Sequence, residues 1–384
     1  MSSSLQSLHP GAAWRGAFAG LAALATAIGI GRFAFTPVLP LMLNERMLSI
    51  AEGAWLASAN YLGYLLGALS AMLVRVPPQR AIRSSLAVIA LTTLAMSAPL
   101  PFALWAVLRL LAGAASAWVL ISVSAWSMDW VVRHRRAYLS GIVFAGVGCG
   151  IAGAGLLCMA FDGRAASAWG ALGVAALAAT LLVWNGFADG AAPVAPGGRI
   201  QSGWNGEMLR LVASYALFGF GYIIPATFLP VIARQVLGAG TAFAWAWPLF
   251  GLAAALSVLP VAYFVRRIGN RGLWLCGHLV MAAGIALPLA GAGMVTVLGS
   301  ALAVGGTFMV VTLVALQEAR AVAGSGAPGL MAAMTAAFAA GQIVGPLSVG
   351  DRSFSASLAL AVLALLAGAA LLAWPARLAI RSKE

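Results

Sequence analysis

The chain has 384 residues, 62% of them hydrophobic and 8% charged, with a mean hydropathy of +0.99. Soluble domains carry about a quarter charged residues, so the composition excludes a soluble core and describes an all-α polytopic membrane protein. The net charge of +13 does not mark a nucleic-acid partner, because the arginines stand in short loops between apolar segments, where they act as orientation signals.

A polar start at 1–9 leads into a first apolar segment at 13–43, ended by Asn44-Glu45-Arg46. This segment is longer than the roughly 7–15 apolar residues of a signal peptide and lacks a cleavage site, so no cleaved leader is expected. The second segment, 51–74, opens on Glu52 and carries Asn60, Tyr61 and Tyr64; a basic loop at 75–83 follows. Segments at 84–99, 102–127, 138–160 and 166–187 complete a first set, with Arg109 inside the fourth and a basic loop from Asp129 to Arg136 after it. Residues 188–206 hold Gly, Pro and Ala without periodicity and read as a flexible linker. A second set lies at 208–233, 241–264, 273–290, 293–317, 329–349 and 354–374. Each segment is near or above the ~20 residues that cross a hydrocarbon core. The expected organisation is a six-helix bundle at 1–187, a cytoplasmic linker at 188–206 and a second six-helix bundle at 207–384.

With the N-terminus inside, 16 of the 22 basic residues fall in inside segments and 4 in outside turns, and Arg32 and Arg109 lie within spans. This bias puts both termini in the cytoplasm, which requires an even number of crossings and fits twelve. The single lysine, Lys383, and the abundance of alanine hint at a GC-rich bacterial genome, hence a multi-pass protein of the bacterial inner membrane. The three cysteines, Cys149, Cys158 and Cys276, fall inside apolar segments and are expected to be small buried hydrophobes. The tryptophans lie mostly near span ends, as an aromatic belt does.

The stretch Gly29-Ile30-Gly31-Arg32-Phe33-Ala34-Phe35-Thr36-Pro37-Val38-Leu39-Pro40 puts an arginine, two glycines and two prolines inside an apolar span. An arginine at bilayer depth costs about 2.5–3.5 kcal/mol on insertion scales, so it faces a protein interior or a watery cavity. The pattern returns as Gly219-Phe220-Gly221-Tyr222-Ile223-Ile224-Pro225-Ala226-Thr227-Phe228-Leu229-Pro230, at an offset of 190 residues, close to half the chain. Trp55 maps onto Trp245 at the same offset, the basic loop at 75–83 onto that at 266–271, and Phe144-Ala145-Gly146 is loosely echoed by Phe338-Ala339-Ala340-Gly341. Paired Gly/Pro-interrupted segments in two halves are a pointer to a transporter's substrate site, and two six-span halves that both begin inside make a parallel repeat.

On these residues the whole chain resembles the major facilitator superfamily. Arg109-Leu110-Leu111-Ala112-Gly113 resembles that superfamily's Arg-x-x-x-Gly motif, and Gly341-Gln342-Ile343-Val344-Gly345-Pro346 its Gly-x-x-x-Gly-Pro kink. The loop at 75–83 is a degraded form of its motif between spans 2 and 3, without the usual glycine and aspartate. The paired stretches at 29–40 and 219–230 look specifically like the YbfB/YjiJ branch. The resemblance implies a twelve-helix fold that rocks two halves about a midplane site, and for Arg109 a proton-relay or structural role.

Arg32 lies 11 residues from the outer end of its span and Arg109 8 residues from its outer turn, which puts them at similar depths, about 16 and 12 Å at ~1.5 Å per residue. Two guanidiniums there can clamp a carboxylate or phosphate, or bond carbonyls freed by nearby prolines. Tyr222 holds the place of Arg32 in the second half, with Thr227 one turn on. Phe33, Thr36, Asn60, Tyr64 and Gln342 complete the expected substrate-binding set, Asn60 and Gln342 equally serving as polar links between helices. His278 is a further polar group at depth, able to carry protons near neutral pH. All nine acidic residues stand in loops or at span ends. Glu52, Asp129 and Glu318 come closest to the interior and are the gating or coupling candidates, with Glu52 able to pair with Arg32 or Arg109 when the outer mouth closes.

These readings converge on a secondary transporter that moves a small organic solute, anionic or zwitterionic, by alternating access. An efflux carrier for apolar compounds, with Phe33, Phe35, Phe218 and Phe228 as its pocket, is the alternative of the same kind. A membrane enzyme would need a catalytic carboxylate, His or Cys set at one depth, and a sensor would need a signalling domain; neither is visible. The sequence holds no Gly-x-x-x-x-Gly-Lys and no His/Cys/Asp cluster with metal spacing, so no cofactor is expected. The expected partners are a substrate, the bilayer and a coupling proton, for a monomer.

Overall fold

A computed structural model describes residues 10–74, 76–134, 138–161, 164–187, 204–237, 244–291, 293–349 and 353–374. The regular structure among them is helical: α1 (Pro10–Leu24), a π-helical stretch (Ala25–Ile30), α2 (Phe35–Asn44), α3 (Ile50–Leu73), α4 (Pro78–Ala95), α5 (Phe102–His134), α6 (Tyr138–Ala160), α7 (Ala165–Val183), α8 (Gly206–Leu237), α9 (Ala246–Ser257), α10 (Val261–Ala290), α11 (Met294–Ala323), α12 (Ala327–Leu347) and α13 (Phe354–Ala373). Nine stretches among the described residues are long and apolar enough to cross a membrane. Most of the linker expected at 188–206 lies outside the described residues, as do the turn at 351–352 and the tail from 375.

Local signals set several boundaries. Ser49 and Glu52 form a reciprocal capping box at the start of α3, with Ser49 N donating to Glu52 Oε2 at 2.7 Å and Glu52 N donating to Ser49 Oγ at 3.2 Å. Pro78 opens α4 at a position that lacks an intrahelical donor anyway. The segment expected at 241–264 is broken by a turn after Ser257. α10 bends at Gly269, whose φ of 72° is open to glycine at little cost.

Small residues let the helices approach. A side-chain carbon at Gly63 or Gly67 would collide with the backbone of Leu110 or Ala114 on α5, and one at Gly113 with the Asn60 carbonyl on α3. α3 packs on α5, α4 on α5 and α7, and α1 on α6. The later helices repeat this: α9 packs on α11, α10 on α11 and α13, and α8 on α12. Among the described residues, early helices pack on late ones chiefly where α6 meets α9, α3 meets α12 and α2 meets α8.

Three expectations change. The Gly/Pro-rich stretches are not alike: the first is a π-helix and a turn, whereas α8 runs unbroken through Pro225 and Pro230. Only Cys158 is buried; Cys149 and Cys276 are exposed. The tryptophans divide, with Trp105, Trp126, Trp169, Trp247 and Trp274 in the core and Trp55 and Trp245 exposed at matching places. Burial tendencies drawn from water-soluble proteins do not separate an interior face from an apolar outer one.

Candidate functional site

The site begins with the disturbed helix. Gly31 N donates to Thr26 O at 2.9 Å and Phe33 N to Ile28 O at 3.1 Å, the five-residue closure of a π-turn, which recurs at functional sites. Side chains from α3 and α5 meet the carbonyls around it. Ser116 Oγ donates to Ala27 O at 2.6 Å, and Asn60 Nδ2 to Gly31 O at 3.2 Å and to Arg109 O at 2.8 Å. Arg109 donates from Nη1 to Gly31 O at 3.2 Å and from Nη2 to Arg32 O at 2.9 Å, and its guanidinium lies 5.1 Å from the Phe35 ring centre. The two arginines are therefore neighbours, as their depths predict, with both terminal nitrogens of Arg109 bonded to backbone.

In the later helices the corresponding donors are missing. Gly113 closes on the Asn60 backbone and Gly305 on that of Phe250, which aligns Asn60 with Phe250 and Arg109 with Ala301. No polar side chain stands at those places to hold a broken helix, and α8 runs on as one α-helix through its two prolines.

Arg32 turns instead toward the late helices. Its Nη2 donates to Gln342 Oε1, and Gln342 Nε2 donates to the hydroxyl of Tyr222, the residue at the Arg32 position of the repeat. The guanidinium is enclosed by Tyr64 at 4.2 Å, Tyr61 at 5.3 Å and Phe33 at 5.4 Å from its Cζ to the ring centres. Tyr61 shares a hydrogen bond of 3.0 Å with Thr227, and Thr36 donates to Ala226 O at 2.9 Å. Arg32 is 5% exposed and its Nε has no partner. Neither Arg32 nor Arg109 forms an ion pair among the described residues.

Around this chain stands a group of rings. Tyr222 lies nearly parallel to Phe308, at 5.8 Å and 2°, and to Phe338, at 5.5 Å and 8°, while Phe33 meets Phe308 and Trp247 at 6.1 Å each. Phe308 and Trp247 are absent from the residues that the sequence points to. Phe338 lies four residues before Gln342 on α12, so its shared helix face with Gln342 was a usable signal; nothing marks Phe308 among the other apolar residues of α11. The four phenylalanines of the apolar-pocket alternative do not meet. Phe35 stacks on Trp169 and Phe228 packs on Phe354, away from Phe33 and Phe218.

Exposure within the network is uneven. Tyr64, Phe338, Arg32 and Phe308 keep 4–8% exposure, whereas Asn60, Thr227 and Gln342 have none. Beyond Thr36, at the other end of α2, a cavity of about 460 Å³ opens among Pro40, Leu43, Asn44, Ser49, Ile50, Val231, Arg234 and Gln235. There Arg234 donates to Pro40 O at 3.4 Å and to Asn44 Oδ1 at 3.1 Å.

The other candidates lie elsewhere. Glu52 is exposed and engaged in the α3 capping box, apart from both arginines. Asp129 falls on α5, with its side chain outside the described part. Glu318 is half-buried near the end of α11, by Asn270 and the Arg271–Glu207 pair of 3.1 Å. His278 is fully buried against Trp274, Phe218 and Gly368, between α10, α8 and α13. No group of three His, Cys, Asp or Glu suited to a metal occurs among the described residues.

Among solved structures, the chain is similar in fold to a mutant form of the nucleoside transporter NupG, with a TM-score of 0.72 and 14% identity over 93% of this chain and 98% of that one. A second structure of the nucleoside transporter NupG gives a TM-score of 0.71 and 12% identity over 95% and 100%. No curated protein matches the chain by sequence. Residues 24–378 match the family described as "Uncharacterised MFS-type transporter YbfB", and the chain belongs to that family of major facilitator membrane transporters.

Proposed function

We propose that the protein is a secondary carrier which moves a small organic anion or zwitterion across the bacterial inner membrane by alternating access. In this reading residues 1–187 and 207–384 form two six-helix bundles with twelve spans, and both termini are cytoplasmic. The matching packing order of the early and late helices supports that division. So do the contacts at the repeat offset, Thr36 with Ala226 and Asn44 with Arg234, each separated by 190 residues.

The observation that carries the reading is the buried guanidinium of Arg32, which has no counter-charge and is tied through Gln342 to Tyr222 of the other half. Removing a carboxylate or ammonium from water costs several kcal/mol unless a partner is supplied, so such a charge is held for a ligand that brings one. Arg32, Gln342, Tyr222 and Tyr64 face the cargo in this scheme, with Phe33 behind them. Arg109 and Asn60 hold the broken helix that presents Arg32. Thr36 and Thr227 close the path on the outer side, which makes this the inward-facing state.

The test is uptake of labelled organic acids by proteoliposomes of the purified protein, compared with Arg32→Gln. Transport of a carboxylate that disappears in the variant supports the proposal; transport that survives it overturns the assignment. The ring cluster favours one second reading, an uncharged flat solute of the kind named for the nucleoside transporter NupG. Uptake of a nucleoside that is indifferent to Arg32→Gln identifies that case.

A further inference from the structure

We infer that the cargo is a single-ring aromatic monocarboxylate, an inference that rests on the anionic reading above. Ring faces cover the guanidinium of Arg32, leaving its edge for in-plane acceptors. Gln342 Oε1 already stands at that edge and marks where a carboxylate oxygen sits. A carboxylate there meets the guanidinium in the planar geometry that favours two parallel bonds, with Nε free to take part.

The rest of the cargo then meets Phe308 and Phe338, which keep 4–8% exposure and lie nearly parallel to the buried Tyr222 ring. Such faces reward a flat aromatic body by offset stacking. They give little to a sugar acid, whose hydroxyls need partners: Tyr61, Thr227 and Thr36 are already bonded, and of the Asn60 amide only Oδ1 is unpaired. A second carboxylate on the cargo would find Arg109 with both terminal nitrogens on backbone carbonyls. An ammonium group would find no acidic side chain in contact with the network among the described residues. Monocarboxylates are therefore preferred over dicarboxylates and over aromatic amino acids.

The experiment is equilibrium binding to the full-length protein in nanodiscs, by calorimetry, with benzoate, cyclohexanecarboxylate, benzamide, phenylalanine and succinate. Benzoate is expected to bind about tenfold more tightly than cyclohexanecarboxylate, the scale of one good aromatic contact, and more tightly than phenylalanine or succinate. Phe338→Leu should bring the benzoate to cyclohexanecarboxylate ratio near one; Phe308→Leu is the substitute if that variant does not fold. Equal affinity of the two acids in the wild type, or a preference that survives both leucine variants, overturns the aromatic inference and leaves the anionic reading standing. Benzamide binding as well as benzoate, or no binding by any of the carboxylates, overturns both.

Discussion

The hydroxyl of Thr36 donates to the carbonyl of Ala226 at 2.9 Å, and the two residues are separated by the repeat offset of 190. Pro230 stands four residues after Ala226 and has no N–H, so the Ala226 carbonyl loses its helical donor. Thr36 fills that vacancy from the other half of the chain. Asn44 and Arg234 are again 190 apart and 3.1 Å from contact, so α2 and α8 face each other in register. A threonine is legible at this point of the sequence as a polar residue by two prolines; its partner is legible only through the repeat.

Thr36→Val keeps the shape of the side chain and removes the donor. It leaves a buried carbonyl unsatisfied, at a cost of about 1–3 kcal/mol. The melting temperature of the purified protein should fall, and Thr36→Ser should recover most of the loss. No change in the valine variant would show that the carbonyl has another donor.

The neighbouring arginines should respond in opposite directions. Arg109→Gln strips the carbonyls of Gly31 and Arg32 of their fork, and Arg109→Lys offers a point charge where two spaced donors are needed. Both variants should lower yield and melting temperature, with about 1–3 kcal/mol for the Arg32 carbonyl left bare, while the Gly31 carbonyl keeps Asn60 as a donor. Arg32→Gln removes a buried charge without a counter-ion and should leave the melting temperature unchanged or raised, while uptake is lost. Thermal unfolding beside transport separates the two. A loss of stability in Arg32→Gln equal to that in Arg109→Gln would make both residues structural.

Glycines supply a third test, because their packing sorts them. A carbon at Gly63 would run into the Leu110 carbonyl, which is helix backbone and cannot move aside. Gly63→Ala should therefore force α3 from α5 and lower the melting temperature by several degrees. Gly153 on α6 has nothing within 4 Å of that position. Gly153→Ala should be neutral or gain up to about 1 kcal/mol from helix propensity. Similar outcomes at both would remove close packing as the reason for the first.

Arg32 and its repeat mate Tyr222 are legible in the sequence because charge, glycine and proline are rare in an apolar span, and Gln342 because it sits in a Gly-x-x-x-Gly-Pro run. The bond network among the three is not, since it depends on which helix faces which. The π-turn is invisible for a similar reason. Gly29-x-Gly31 and Gly219-x-Gly221 look alike, and what breaks the first helix comes from Asn60, Arg109 and Ser116 on two other helices. Phe308 and the exposed Cys149 mark the remaining gap: along an apolar helix, hydrophobicity is the same on the core side and the outer side, so periodicity carries no sign.

The proposed alternating access requires the contact between Asn44 and Arg234 to be temporary. If α2 and α8 close the outer side here, they must part for cargo to enter from that side. Asn44→Cys with Arg234→Cys, in a background where Cys149, Cys158 and Cys276 are Ala, puts two thiols at this contact, and a short reducible thiol cross-linker can hold them together. Cross-linking should abolish uptake into proteoliposomes, and reduction should restore it. Ligand binding to solubilised protein should survive the cross-link, because the proposed inward-facing state leaves the Arg32 network open on the inner side. Full transport by the cross-linked protein would mean that these helix ends never separate and that the cargo takes another route.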